Sequence, residues 1–301
     1  MMTDLMMTDL MMTDLMVTDT GVRPSLASIV DTAAYPLDRP DDARLVEIVA
    51  DVRRQLGAVG CARLPAFIRA DAQATLTRET EAVAHLAYRI CQDITPYADH
   101  GAGDWPEDHP RRRAGTMSNG FVGKDLIPEH TMIRALYDDA SFQRFVAACL
   151  SIDRLHQFAD PIRGLVVNVM DDATQMPWHY DANEFIASLM TKRSTAGGVF
   201  EYCPDLRAPG DERYDDVRDV LDGNRDRVRT LELEVGDLQL FRGRYSMHRV
   251  TQTVGERQTV LFGFSELPGY IGGVESTRIG YGRVTQAHLD AEQCHADGLA
   301  G

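Results

Sequence analysis

Beyond Pro161 the chain breaks into short runs rich in Val, Ile, Leu and Phe, and this rhythm most constrains what it can fold into. The runs cover 164–170, 184–191, 198–202, 228–235, 238–241 and 259–264, with turn residues between them. Such spacing is that of strands in an antiparallel sandwich or barrel. A polar, acidic insertion from Arg207 to Arg227 interrupts the series. Upstream the period changes. Leu45, Ile48, Val49, Val52 and Leu56 follow helical spacing, with Pro40-Asp41-Asp42 as the start and Gly57 and Gly60 as the stop. Further helices are predicted over 71–90 and 133–150. Residues 61–65 read as a short edge strand, because Pro65 cannot donate to a ladder. The stretch 95–123 is a long loop rich in Pro, Gly, Asp and Arg, of the kind that covers functional sites. No linker separates the halves, so the expected fold is one α+β unit, a jelly roll with N-terminal helices packed against it.

Several function classes fall away. The formal charge of −15 repels phosphate backbones, and the arginines are scattered, so nucleic acid is not an expected partner. No apolar run reaches bilayer length, which excludes a helical membrane span. The five cysteines are far apart and form no C-x-x-C pair, which argues against a disulfide framework and a thiolate zinc site and makes a reducing cytoplasm the expected compartment. The N-terminus repeats Met-Met-Thr-Asp-Leu three times, without the basic and apolar regions of a secretory signal. The expected organisation is a disordered repeat tail over 1–24, whose true initiator could be Met16, then one domain over 25–290 and a C-terminal tail over 291–301. Within the domain, 25–160 is mainly helical support and 161–267 the jelly-roll core.

The β half carries Trp178-His179-Tyr180-Asp181. Residues two apart on a strand share a face, so His179 and Asp181 can present an imidazole and a carboxylate to one point. His248 follows 67 residues after Asp181, within Ser246-Met247-His248-Arg249-Val250. Two histidines and a carboxylate on one face of a metal form the facial triad of non-haem Fe(II) oxygenases. Arg257 and Thr259 lie on alternate positions of the next strand. A guanidinium fork clasps a carboxylate in two parallel hydrogen bonds, and a dicarboxylate chelating the metal at one end would need such an anchor at the other. Taken singly, each element has a structural alternative: a strand histidine can be a hydrogen-bonded core residue, and Arg257 a solvated partner of Glu256.

Together these residues resemble the Fe(II)/2-oxoglutarate-dependent oxygenases, with their His-x-Asp, distal His-Arg-Val and Arg-x-Ser/Thr spacing. Gly164-Leu165-Val166-Val167-Asn168-Val169-Met170, Trp178 to Phe185 and Gly197-Gly198-Val199-Phe200-Glu201-Tyr202-Cys203-Pro204 are similar to the branch of free-amino-acid halogenases and hydroxylases. The resemblance spans about residues 130–265. It implies a double-stranded β-helix core, cupin-like in outline, that uses Fe(II), 2-oxoglutarate and O2. His179, Asp181 and His248 would be the metal ligands, and Arg257 and Thr259 would hold the distal carboxylate of 2-oxoglutarate. Halogenases of this branch carry glycine at the carboxylate position, which leaves room for chloride; Asp181 implies hydroxylation, although desaturation, cyclisation or epimerisation would use the same ligands. Lysine-directed members place a histidine three residues before the first ligand and an acid just after the carboxylate position. Met176 and Ala182 depart from that pattern.

The expected substrate is a small, amino-acid-like metabolite, and a homodimer is one option for assembly. Asn183, Glu201 and Arg113 are the candidate substrate contacts. Asn183 shares parity with the ligands, Glu201 precedes a strand end at a barrel mouth, and Arg113 ends an Arg-Arg-Arg run in the long loop. Each has a bland alternative as a turn residue or a solvated charge. Trp178 and Tyr180 are assigned to core packing, and Arg249 to a structural ion pair. The competing readings are a non-catalytic jelly-roll sensor and a different metal enzyme on a cupin-like barrel; the latter leaves Arg257 and Thr259 unexplained.

Overall fold

In the computed structural model, which describes residues 23–97 and 103–295, eight strands are divided between two facing sheets. They are β1 (Leu165–Met170), β2 (Met176–His179), β3 (Ile186–Lys192), β4 (Phe200–Cys203), β5 (Arg229–Leu231), β6 (Leu238–Phe241), β7 (Met247–Val250) and β8 (Arg257–Phe262). The larger sheet contains β6-β3-β8-β1, and the smaller is β5-β4-β7-β2, all antiparallel. This is the double-stranded β-helix. Cys61–Leu64 adds an edge strand beside β6, as Pro65 predicts, and Gly120–Val122 and Tyr88–Arg89 extend the other edge.

Alternation along the larger sheet decides which residues reach the site. Leu165, Val167, Val169, Val260 and Phe262 face the N-terminal helices and join one core with Leu76, Phe142 and Phe145. By the same pleat, Asn168, Met170, Arg257 and Thr259 face the smaller sheet across the barrel interior. The helices are α1 (Ala43–Val59), α2 (Ala70–Ala84), α3 (Met132–Tyr137) and α4 (Ala140–Leu150). Asp42 caps α1 by accepting from the Arg44 amide, and Gly60, at φ 67°, ends it in the left-handed conformation.

Several boundaries differ from the sequence expectation. The helix predicted over 71–90 ends at Ala84, and the one over 133–150 is two, because the Asp139 side chain accepts from the amides of Ser141 and Phe142 and starts α4 afresh. The insertion holds helix α5 (Tyr214–Leu221), and the long loop holds Gly115–Met117 and Gly120–Val122. Residues 1–22, most of the repeat tail, and His100 lie outside the described residues. At the C-terminus two helices appear, α6 (Val274–Tyr281) and α7 (Gln286–His295), so the stretch read as a tail from 291 begins inside a helix. The reason is buried: the fully enclosed His288 ring meets Asp160 at 3.1 Å and draws α7 onto the domain. Among the described residues no helix is long and apolar enough to cross a membrane.

One half-buried acid in the helical layer gives a pH-dependent prediction. Glu79 accepts from the Met132 amide at the start of α3, and burial pushes its carboxyl up to about 7. A folded pKa above the unfolded one means that ionisation disfavours the fold, so stability is lost as pH rises from about 4.5 through about 7. Glu79→Gln removes this titration. Its melting temperature, relative to the wild type, should therefore be higher at pH 8 than at pH 5; a constant difference across that range would refute the assignment.

Candidate active site

β2 and β7 are neighbours with His179 opposite His248, which sets the two imidazoles at 49° to one another with centroids 4.1 Å apart. Each ring is oriented by its own backbone. Nδ1 of His179 donates to the Pro177 carbonyl at 2.8 Å, and Nδ1 of His248 donates to the Ser246 carbonyl at 3.0 Å. Those bonds fix the tautomer and leave both Nε2 lone pairs aimed at one point. Burial, followed by the neighbouring His248, pushes the His179 imidazole down to about 4, so it is neutral at pH 7. A metal ligand must be neutral imidazole.

Asp181 completes the group, with Oδ1 3.8 Å from Nε2 of His179 and 3.5 Å from Nε2 of His248. One donor atom from each of the three lies within 4.8 Å of the others. Asp181 is not on a strand, contrary to the expectation that the pleat aligns it with His179; β2 stops at His179. Its position comes from the turn 242–246 instead, where the Asp181 amide donates to the Gly243 carbonyl at 3.1 Å. Burial raises the Asp181 carboxyl, but attraction to His248, a hydrogen bond to it and attraction to His179 outweigh this and hold it below the usual range. An anionic oxygen and two neutral imidazoles are a donor set suited to ferrous iron.

Across the interior stands Arg257, only 4% exposed. No hydrogen bond or ion pair joins its guanidinium to any other described residue, and Nε is buried without a partner. Burial lowers its pKa to about 10, so it remains charged at pH 7. A buried cation with no counter-charge costs several kcal/mol, a cost a bound anion offsets. Beside it lies a cavity of about 200 Å³ walled by Met190, Phe200 and Leu231. Thr259 lies two residues further along the same face, opposite Asn168. Gly198, at φ 61°, lets the β3–β4 connection close over the arginine, since a Cβ there would lie 3.0 Å from its Cδ.

The substrate candidates separate. Asn183 lies in the half-buried loop two residues past Asp181. Glu201 is not brought to the ligands: Tyr202 pairs with His248 and Glu201 with Arg249, so the pleat turns Glu201 to the outer face of the smaller sheet. There its carboxylate is clasped by Arg225 and by Arg249, the latter at 2.7 Å. An acid neutralised by two guanidinium groups on the far face of the sheet does not serve a substrate amine. Glu201→Ala should lower the melting temperature, by the equivalent of about 1 kcal/mol because Arg225 and Arg249 are partly solvated, and leave turnover unchanged. Lost turnover with an unchanged melting temperature would contradict this placement. Arg113 is likewise occupied, donating to Asp222 at 2.7 Å just past α5. Arg111 lies over the Tyr97 ring at 4.3 Å and bonds the Tyr214 hydroxyl. The basic run thus latches the long loop to the insertion.

Sequence reasoning missed Asn119, Asn168 and Gly243. Asn119 donates to Asn168 at 2.7 Å, both buried on the interior face. The polar Asn168 within the apolar run Leu165–Met170 was the available signal. Gly243 had none, because its role is a contact across 62 residues.

A double-stranded β-helix with two imidazoles and a carboxylate converging at the end of the smaller sheet defines an Fe(II)/2-oxoglutarate-dependent oxygenase. The family model for Halogenase D matches residues 46–266, and the chain belongs to that family. No curated protein matches the sequence. Among solved structures it is similar to AviO1 from Streptomyces viridochromogenes Tue57, with 16% identity, 73% of this chain and 96% of that one covered, and a TM-score of 0.51. It is also similar to two proteins of nogalamycin biosynthesis. The carbocyclase SnoK shares 15% identity over 78% of this chain and 92% of that one, with a TM-score of 0.50. The epimerase SnoN shares 14% over 73% and 83%, with a TM-score of 0.50. At these identities the likeness establishes the fold alone.

Proposed function

We propose that this protein is an iron- and 2-oxoglutarate-dependent hydroxylase of a small, amino-acid-like metabolite. His179, Asp181 and His248 would hold the iron, and Arg257 with Thr259 the distal carboxylate of 2-oxoglutarate. The observations that support the reading are the clustered donors of His179, Asp181 and His248 and the buried, unpaired Arg257 on the inward-facing side of β8. When bound, iron would activate O2, the oxidant, with 2-oxoglutarate as the co-reductant, so that one oxygen atom enters the substrate C–H bond and the other enters succinate, with release of CO2. The chain's own residues supply orientation. The two backbone carbonyls fix the imidazoles, and Arg257 sets the direction in which a dicarboxylate can lie. Substrate contact is assigned to Asn183, beside the ligands.

Family membership favours halogenation as a second reading. Asp181 speaks against it, because its carboxylate fills the place that relatives with glycine leave for chloride. The deciding experiment incubates the purified protein with Fe(II), 2-oxoglutarate and a panel of amino acids, with chloride present. Iron-dependent succinate release with a product heavier by one oxygen supports hydroxylation. A chlorinated product would overturn it, and no succinate with any iron loading would overturn both readings.

A further inference from the structure

The turn 242–246 touches both ligand segments. Besides the bond from the Asp181 amide to the Gly243 carbonyl, Arg244 donates to the Ala182 carbonyl at 2.9 Å, and the Ser246 carbonyl orients His248. The Arg242 amide in turn donates to the Gly60 carbonyl at 3.0 Å, which ties the turn to the end of α1. Gly243 does not lie in the left-handed region, so its backbone suits any L-residue. Space is what demands glycine here. A Cβ at this position would overlap Oδ2 of Asp181 and lie 2.6 Å from its Cγ and 2.9 Å from its Cβ.

We infer that Gly243 is the positioning residue for the carboxylate: the bare Cα is the floor on which Asp181 rests, and any side chain there evicts the carboxylate from the ligand point. The turn is held by the four hydrogen bonds just named, whereas the Asp181 side chain can rotate about χ1. The carboxylate is therefore what moves. This inference rests on the proposed role of Asp181 as a metal ligand. It adds that the ligand's place is fixed by an absent side chain 62 residues away.

The test is a double-mutant cycle in the purified full chain, with Co(II) as the probe and no cosubstrate. The four proteins are the wild type, Gly243→Ala, Asp181→Gly and the double variant, and calorimetric titration reads Co(II) affinity while thermal melting reads stability. Gly243→Ala should weaken Co(II) binding about tenfold or more in the Asp181 background, the scale of lost support around a metal ligand. In the Asp181→Gly background the same change should cost less than about twofold, because the space the methyl enters has been emptied. Any fall in melting temperature caused by Gly243→Ala should likewise vanish in the double variant. Equal losses of affinity from Gly243→Ala in both backgrounds would overturn the inference and leave the ligand assignment standing. Equal Co(II) affinity in the wild type and Asp181→Gly would overturn the ligand assignment itself.

Discussion

If Arg257 anchors 2-oxoglutarate as proposed, Arg257→Ala should raise the concentration of 2-oxoglutarate needed for half-maximal turnover about a hundredfold and change Fe(II) affinity only slightly. The magnitude follows from the geometry. Two parallel charge-assisted hydrogen bonds are worth about 1.5–3 kcal/mol each, and removing a buried, unpaired cation from the resting protein returns part of that sum. A net loss of about 3 kcal/mol corresponds to about two orders of magnitude. Arg257→Lys keeps the charge and loses the fork, so it should fall between the two. The measurement is anaerobic titration of the Fe(II) protein with 2-oxoglutarate, followed by its weak visible charge-transfer band. Unchanged cosubstrate affinity in the alanine variant would remove the anchor from the proposal.

Asp181→Ala should reduce hydroxylation by about three orders of magnitude or more while the two imidazoles retain part of the metal affinity. Groups that act as a unit lose nearly everything when one is removed. His179 and His248 are oriented by their own backbone carbonyls and not by Asp181, so their Nε2 atoms stay aimed at the same point. Iron content by atomic absorption and product by mass spectrometry separate the two effects. A variant with more than about a tenth of wild-type turnover would exclude Asp181 from the machinery.

Much of this protein was legible in its sequence, and the parts that were not share a cause. The helical spacing of Leu45, Val52 and Leu56 and the alternation of short apolar runs report burial face by face, which local pattern encodes directly. His179, Asp181, His248 and Arg257 could be nominated because chemistry restricts which residue types can do such work. The split between α3 and α4 at Asp139 was hidden, since an uninterrupted apolar period runs through a capping residue that restarts the helix. Glu201 was misplaced because the mouth of a barrel cannot be told from its outer wall without the register that sets Tyr202 opposite His248. The C-terminal helix escaped notice because its anchor, His288 on Asp160, spans 128 residues. Gly243 is the extreme case. Its contribution is an empty volume, and no local property of a sequence records what a missing atom allows.

The hub at residues 242–246 has a consequence for how the enzyme matures. Because backbone carbonyls hold both imidazoles and the same turn seats the carboxylate, the proposed ligand set should not depend on an ion for its arrangement. Iron should then add to thermal resistance only by mass action, through its preference for the native state. Chelator-treated protein should keep its circular dichroism spectrum and regain full iron occupancy within the mixing time, unlike domains whose folding waits for their metal.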